Sequence, residues 1–175
     1  IILYNYPPGK AELGASYLEV FQSFNTLLNE LYDNGYDIGM DKSEIPNATQ
    51  LYTLVAAFGN KGTWAQGLLN DYVEENWDSL IRNQQFVNVT QYMKWFNELP
   101  TKLQNQLVDY WGSGIGNIMK YNGSIVIPGM MFGNIFLTVQ PSRGTEELKT
   151  IENYHDTTLP PHQQYVSFYK WLTEF

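Results

Sequence analysis

Ser124-Ile-Val-Ile-Pro-Gly-Met-Met-Phe-Gly-Asn-Ile-Phe-Leu-Thr-Val139 is the stretch on which the fold class turns. β-Branched and aromatic residues crowd into 124–127 and 134–139, and Pro128-Gly129 and Gly133 punctuate them, which reads as two strands set apart by turns. Upstream, directly after Trp111, the composition changes to a glycine-rich passage of Gly112, Gly114 and Gly116. Downstream, the polar residues 140–158 read as loop with one helical turn.

Further out the signals are mostly helical. Ile1-Ile-Leu-Tyr-Asn-Tyr6 is a short apolar strand stopped by Pro7-Pro8-Gly9. Ser16 and Glu19 form a capping-box pair ahead of Tyr17, Phe21, Phe24, Leu28 and Leu31, and Gly35 supplies the stop. Asn47 and Gln50 repeat the pattern ahead of Leu51, Leu54, Val55 and Phe58. Helical stripes follow at Trp64, Leu68, Leu69 and Tyr72, at Tyr92, Met93, Trp95, Phe96 and Leu99, and at Leu103, Leu107, Tyr110 and Trp111. Last, Leu159-Pro160-Pro161 leads into a helix on which Tyr165, Val166, Tyr169 and Leu172 share a face, with Pro161 suited to the first turn. The order strand, helices, strands, helix predicts an α/β fold: a small sheet with strands near 1–6, 123–128 and 133–140, covered by several helices. Residues 1–175 are expected to form a single domain or a fragment of one, and the opening on Ile1 suggests an internal piece of a longer polypeptide.

Composition narrows the function. A net charge of −8 with ten scattered cations argues against nucleic acid, whose phosphates need clustered Lys and Arg. With no Cys, any metal would take nitrogen or oxygen ligands. No apolar run is long enough for a membrane span and no targeting signal opens the chain, so the expected location is the cytoplasm.

Gly112-Ser-Gly-Ile-Gly116 has the spacing of neither phosphate-binding glycine fingerprint, and no Gly-Lys-Ser/Thr occurs. No Ser lies in a Gly-x-Ser-x-Gly elbow. His155 and His162 flank Leu159-Pro160-Pro161, and the second is held at a helix mouth by the fixed proline φ. From residue type alone, a hydrogen-bonded structural histidine is the simpler reading of each. Glu12, Asp109 and the pair Glu146-Glu147 stand near aromatic residues, where lost hydration would raise a carboxyl pKa toward base chemistry. The abundant Tyr near loops suits a flat apolar ligand, but suits a carbohydrate equally, so a non-catalytic glycan-binding module remains the alternative, and a two-carboxylate hydrolase a third.

Three blocks go beyond pattern. Tyr4-Asn-Tyr-Pro-Pro-Gly-Lys-Ala-Glu-Leu-Gly14, Phe132-Gly-Asn-Ile-Phe-Leu-Thr-Val-Gln-Pro141 and Leu159-Pro-Pro-His-Gln-Gln-Tyr-Val-Ser-Phe-Tyr-Lys-Trp-Leu172 resemble, in order, segments of the large, tetrapyrrole-binding subunit of the cobaltochelatase and magnesium-chelatase family. Trp111-Gly112 also fits. Residues 40–90 are read only as helices. The resemblance implies insertion of a divalent metal, Co²⁺ favoured over Mg²⁺, into a tetrapyrrole, with corrin favoured over porphyrin because Tyr154-His155 precedes the double proline. It implies ATP hydrolysis on separate motor subunits rather than here, and an inactive isolated fragment. It suggests His162 and then His155 for the metal, Asp109 and Glu12 as bases or outer ligands, and Tyr6, Lys10, Phe132 and Tyr154 against the macrocycle. Gln163 departs from a second His common at that place, which puts paired imidazole ligation in doubt.

Overall fold

A computed structural model describes residues 1–3, 18–58, 66–141 and 158–174. In chain order the described elements are β1 Ile2–Leu3, α1 Val20–Asp33, a 3₁₀ turn Lys42–Glu44, α2 Ala48–Phe58, α3 Gln66–Arg82, β2 Phe86–Asn88, α4 Val89–Glu98, α5 Thr101–Trp111, β3 Lys120–Tyr121, β4 Ser124–Val126, β5 Met130–Phe132, β6 Ile135–Val139 and α6 Gln163–Glu174. The α/β expectation holds. The strand material is divided over two three-stranded sheets, because 124–126 and 135–139 join different partners. The chain correspondingly divides into two compact units, residues 1–60 with 128–140 and residues 61–127 with 141–175.

In the first unit β6 is the central strand, parallel to β1 (Ile2 beside Thr138) and antiparallel to β5 (Met130 beside Leu137). Its side chains from Phe136 to Val139 are all buried, the pattern of a strand covered on both faces. Phe24 and Leu28 of α1 and Leu51 and Val55 of α2 complete that core. The helix boundaries follow local chemistry. The Asn47 side chain accepts from Gln50 N and the Gln50 side chain accepts from Asn47 N, a closed capping box at the start of α2. At the end of α1, Tyr36 N reaches Leu31 O and Gly35 N reaches Tyr32 O, the paired bonds of a Schellman stop. The start of α1 differs from expectation: the helix begins at Val20, and its N-cap Glu19 makes no side-chain cap bond. Ser16, the expected cap, lies outside the described residues.

One contact holds the 36–40 loop on the β5–β6 turn. Asn134 N donates to Asp37 O, and Gly39 and Gly133 both take positive φ, 71° and 53°. A Cβ at Gly133 would lie 2.5 Å from Asp37 O and 2.6 Å from Ile38 C, so two backbones meet where no side chain fits.

In the second unit β4 lies between β2 and β3 in an antiparallel sheet. Gln85 prolongs the β2–β4 pairing: its carbonyl accepts from Ile127 N and its buried side-chain amide donates to Ile127 O. Asn88 caps α4 by accepting from Gln91 N. α6 is anchored at its far end, where Trp171 donates to Gln84 O and Glu174 accepts from Trp95. Lys170 also donates to Glu98 and holds that carboxyl below its usual range.

Two expectations follow. Gly133→Ala combines left-handed backbone strain with the clash against Asp37 and should cost about 2 kcal/mol or more, read as a lower urea midpoint. Burial pushes the Tyr92 phenol up to about 12 from 10.0. A raised folded pKa favours the protonated state, so that contribution is complete below pH 10 and is lost as pH rises toward 12. Tyr92→Phe, which lacks the titrating group, should flatten the fall in thermal midpoint over this window.

Candidate functional site

The second unit brings the end of α5, the glycine passage and the start of α6 together. α5 runs out at Trp111 because Gly112 takes a φ of 82°, leaving the last carbonyls of the helix without helical partners. Gln163, the first residue of α6, supplies them: its side-chain Nε2 donates to Gly112 O at 3.0 Å and to Trp111 O at 3.4 Å. In return Trp111 Nε1 donates to Pro160 O at 2.9 Å. Gly116, at a φ of 66°, packs so closely on the Gln163 amide that a Cβ there would lie 2.6 Å from Oε1.

The polyproline approach ends at His162, which is 0% exposed. Its Nδ1 accepts from Tyr165 N at 3.1 Å and its carbonyl accepts from Val166 N at 3.2 Å, so His162 is the N-cap of α6. Pro161, expected inside the first turn, therefore lies just ahead of the helix. The cap bond assigns the tautomer: with the Nδ1 lone pair engaged, a neutral imidazole carries its proton on Nε2.

Aromatic rings continue on both sides of this histidine. Tyr110 to Trp111, Trp111 to His162, His162 to Tyr165 and Tyr165 to Tyr169 are 6.2, 6.0, 6.4 and 5.0 Å apart between centroids. The ends of the row reach solvent, Tyr110 at 59% and Tyr169 at 36% exposure. The row thus offers π-faces at its rims and a capped imidazole at its buried middle.

Asp109 shares this neighbourhood, on the solvent-exposed side of the last turn of α5. Phe132 belongs to the first unit, where its buried ring packs edge-on against Phe24 with centroids 5.8 Å apart. Tyr6, Lys10, Glu12, Tyr154 and His155 lie outside the described residues. Among the described residues, no three His, Asp or Glu side chains gather into a group that could hold a metal ion. A hollow of about 520 Å³ lies along α3, lined by Glu74, Trp77, Asp78 and Arg82 with their neighbours, and among the described residues its walls come from that helix alone.

The sequence reading noted Gln163 only as the place of an absent His and missed Gln164 and Ser167; the structure buries all three. Their signal was the spacing 164, 167, 168, 171, the same helical template as an apolar stripe but with two polar members.

The CobN/Magnesium Chelatase family profile matches residues 1–175. The chain belongs to this family. Over 99% of its length this CobN/Magnesium Chelatase member is 31% identical to an uncharacterized protein of Methanocaldococcus jannaschii. Over a like share it is 25% identical to a magnesium-chelatase subunit of Cereibacter sphaeroides. The catalytic subunit of cobaltochelatase from Mycobacterium tuberculosis has a similar structure, with a TM-score of 0.63 and 28% identity over 89% of this chain. The chain spans 13% of the length of those two relatives and 12% of that structure.

The cap makes a prediction of its own. His162→Ala should lower stability by about 1 kcal/mol from the cap alone, and more through the lost ring. His162→Asn, whose Oδ1 can accept the Tyr165 N–H, should recover the cap part when urea midpoints are compared.

Proposed function

We propose that this chain is a segment of the large subunit of an ATP-dependent metal chelatase, which binds a tetrapyrrole and inserts a divalent metal into it. The observation that carries this reading is the family match across all 175 residues. Co²⁺ and a corrin are favoured over Mg²⁺ and a porphyrin by Tyr154-His155 ahead of the double proline and by the suitability of imidazole for cobalt. ATP is assigned to partner motor subunits, since the sequence carries no phosphate loop. No described helix is long and apolar enough to cross a membrane, and a cytoplasmic setting accords with that.

Insertion removes two pyrrolic protons and exchanges the water around the metal for ring nitrogens, so the chain's part is to seat the ring and to handle metal and protons. The aromatic row from Tyr110 to Tyr169 suits the flat ring by its π-faces. His162 is the first choice for metal delivery, with His155 second, and Asp109 and Glu12 for proton transfer. Because Nδ1 of His162 is engaged by Tyr165 N, a metal would bind Nδ1 only after the cap opens, or Nε2 only after its proton leaves. Metal transfer through His162 is thereby coupled to loosening of the first turn of α6. Tyr6, Lys10 and Tyr154 complete the proposed ring contacts.

Absorbance titration of the purified chain with a metal-free corrinoid, a metal-free porphyrin and Co²⁺ tests the reading. Binding of a ring is expected, as is loss of Co²⁺ insertion by His162→Asn in the full-length enzyme despite its intact cap. If neither ring binds and the Asn variant inserts metal at the normal rate, the reading is wrong.

A further inference from the structure

α3 turns a mixed apolar and acidic face to solvent. Glu74, Trp77, Asp78 and Ile81 follow one another at three- and four-residue steps, which sets them on one side of the helix. Trp77 is 45% exposed and Ile81 52%, and both carboxylates are exposed beside them. The hollow along α3 is lined by Glu74, Trp77 and Asp78. A lone exposed Ile is ordinary, but an indole and an Ile adjoining a hollow form a patch.

The indole is backed by other rings and its polar atom is unspent. It packs on Phe86 of β2 and Tyr121 of β3, with centroids 5.5 and 6.3 Å away. Trp95, Trp111 and Trp171 donate their indole N–H groups to Glu174, Pro160 O and Gln84 O. The Trp77 N–H has no acceptor among the described residues. The charge is unspent too. α3 carries Asp71, Glu74, Glu75 and Asp78 against the single cation Arg82, and Asp71 with Glu75 and Glu74 with Asp78 are like-charge pairs four residues apart, which weaken an isolated helix. Ion pairs among the described residues join Lys42 to Asp33, Lys94 to Glu174 and Lys170 to Glu98, and none involves α3.

We infer that this face docks a basic segment of the same polypeptide, lying outside residues 1–175, that sets a Lys or Arg against Trp77 between Glu74 and Asp78. Charge selects the occupant. A cation over the indole gains from the ring and from both carboxylates, a backbone carbonyl next to it accepts from the Trp77 N–H, and an apolar residue covers Ile81. A second copy of the face would bring like charge instead. Length selects the source. The chain spans 13% of the magnesium-chelatase relative, so most of a subunit of that kind is further polypeptide, and a tethered segment meets the face at a higher effective concentration than a separate molecule does. This inference rests on the reading of the chain as a segment of a large subunit and adds to it a docking surface away from the proposed ring contacts.

The test uses the full-length subunit carrying the photoreactive substitution Ile81→benzoylphenylalanine, at a position exposed enough to accept it. After irradiation and digestion, the cross-link is expected on a Lys- or Arg-rich segment of the same polypeptide. Glu74→Lys with Asp78→Lys should lower the cross-linked fraction at least about tenfold, and high salt should lower it as well. Glu19→Lys with Glu30→Lys, an equal charge change at exposed positions elsewhere, should leave it unchanged. Attachment within residues 1–175, to a second copy, to another protein or to an acidic segment would overturn the inference, as would no cross-link or a yield indifferent to the reversal at 74 and 78. Titration of the same sample with a metal-free porphyrin keeps the two readings apart. Ring binding without the cross-link overturns the docking face alone, and the cross-link without ring binding overturns the proposed function alone.

Discussion

The side-chain amide of Gln163, donating to the carbonyls of Gly112 and Trp111, closes the end of one helix with the first residue of another. Gly112 is exposed and Trp111 half-buried, so each bond is worth about 0.5–1.5 kcal/mol net, and here one amide serves two carbonyls. The return bond from Trp111 to Pro160 fixes the polyproline approach, and the approach sets His162 in place as the cap of α6. The glycine at 116 belongs to the same arrangement, since any side chain there would occupy the place of the Gln163 amide. Docking of α5, the path of the glycine passage and the start of α6 are one hydrogen-bonded unit rather than three features.

The first unit is built on a comparable constraint of space. β6 is buried on both faces and paired on both edges, so its neighbours must reach it without side chains in the way. The Gly39 and Gly133 backbones meet at the turn, which ties the loop after α1 to the hairpin. The Phe-Gly-Asn tract seen in the sequence thus has a packing role: Phe132 fills the core against Phe24, Gly133 permits contact, and Asn134 donates to Asp37.

For the site, the decisive fact is how the nitrogens of His162 are spent. A sequence shows an imidazole next to a double proline and invites a metal. The fold shows one lone pair already engaged by a backbone amide, so that nitrogen serves as a helix cap. A metal taken on Nδ1 would therefore have to displace the Tyr165 amide first.

Legibility followed the range of the interactions. The capping box of Asn47 and Gln50, the stop at Gly35 and the two β-rich runs were readable because each is decided within a few residues. The pairing of these runs with β1 and β2, in two sheets rather than one, was not readable, since partners far apart in sequence leave no local mark. The last helix shows the division most clearly. Its period was legible, but the sequence put the apolar residues Tyr165, Val166, Tyr169 and Leu172 inward. The structure buries Val166 as expected, but with it Gln164, Ser167, Phe168 and Trp171, and leaves Tyr169 at the surface. Hydrophobic spacing reveals a helix's period, which the backbone geometry fixes. Its rotation is set by what it packs against: bonds from Gln163 to α5 and from Trp171 to Gln84 fix the turn of α6, and only the tertiary structure contains both ends of those bonds.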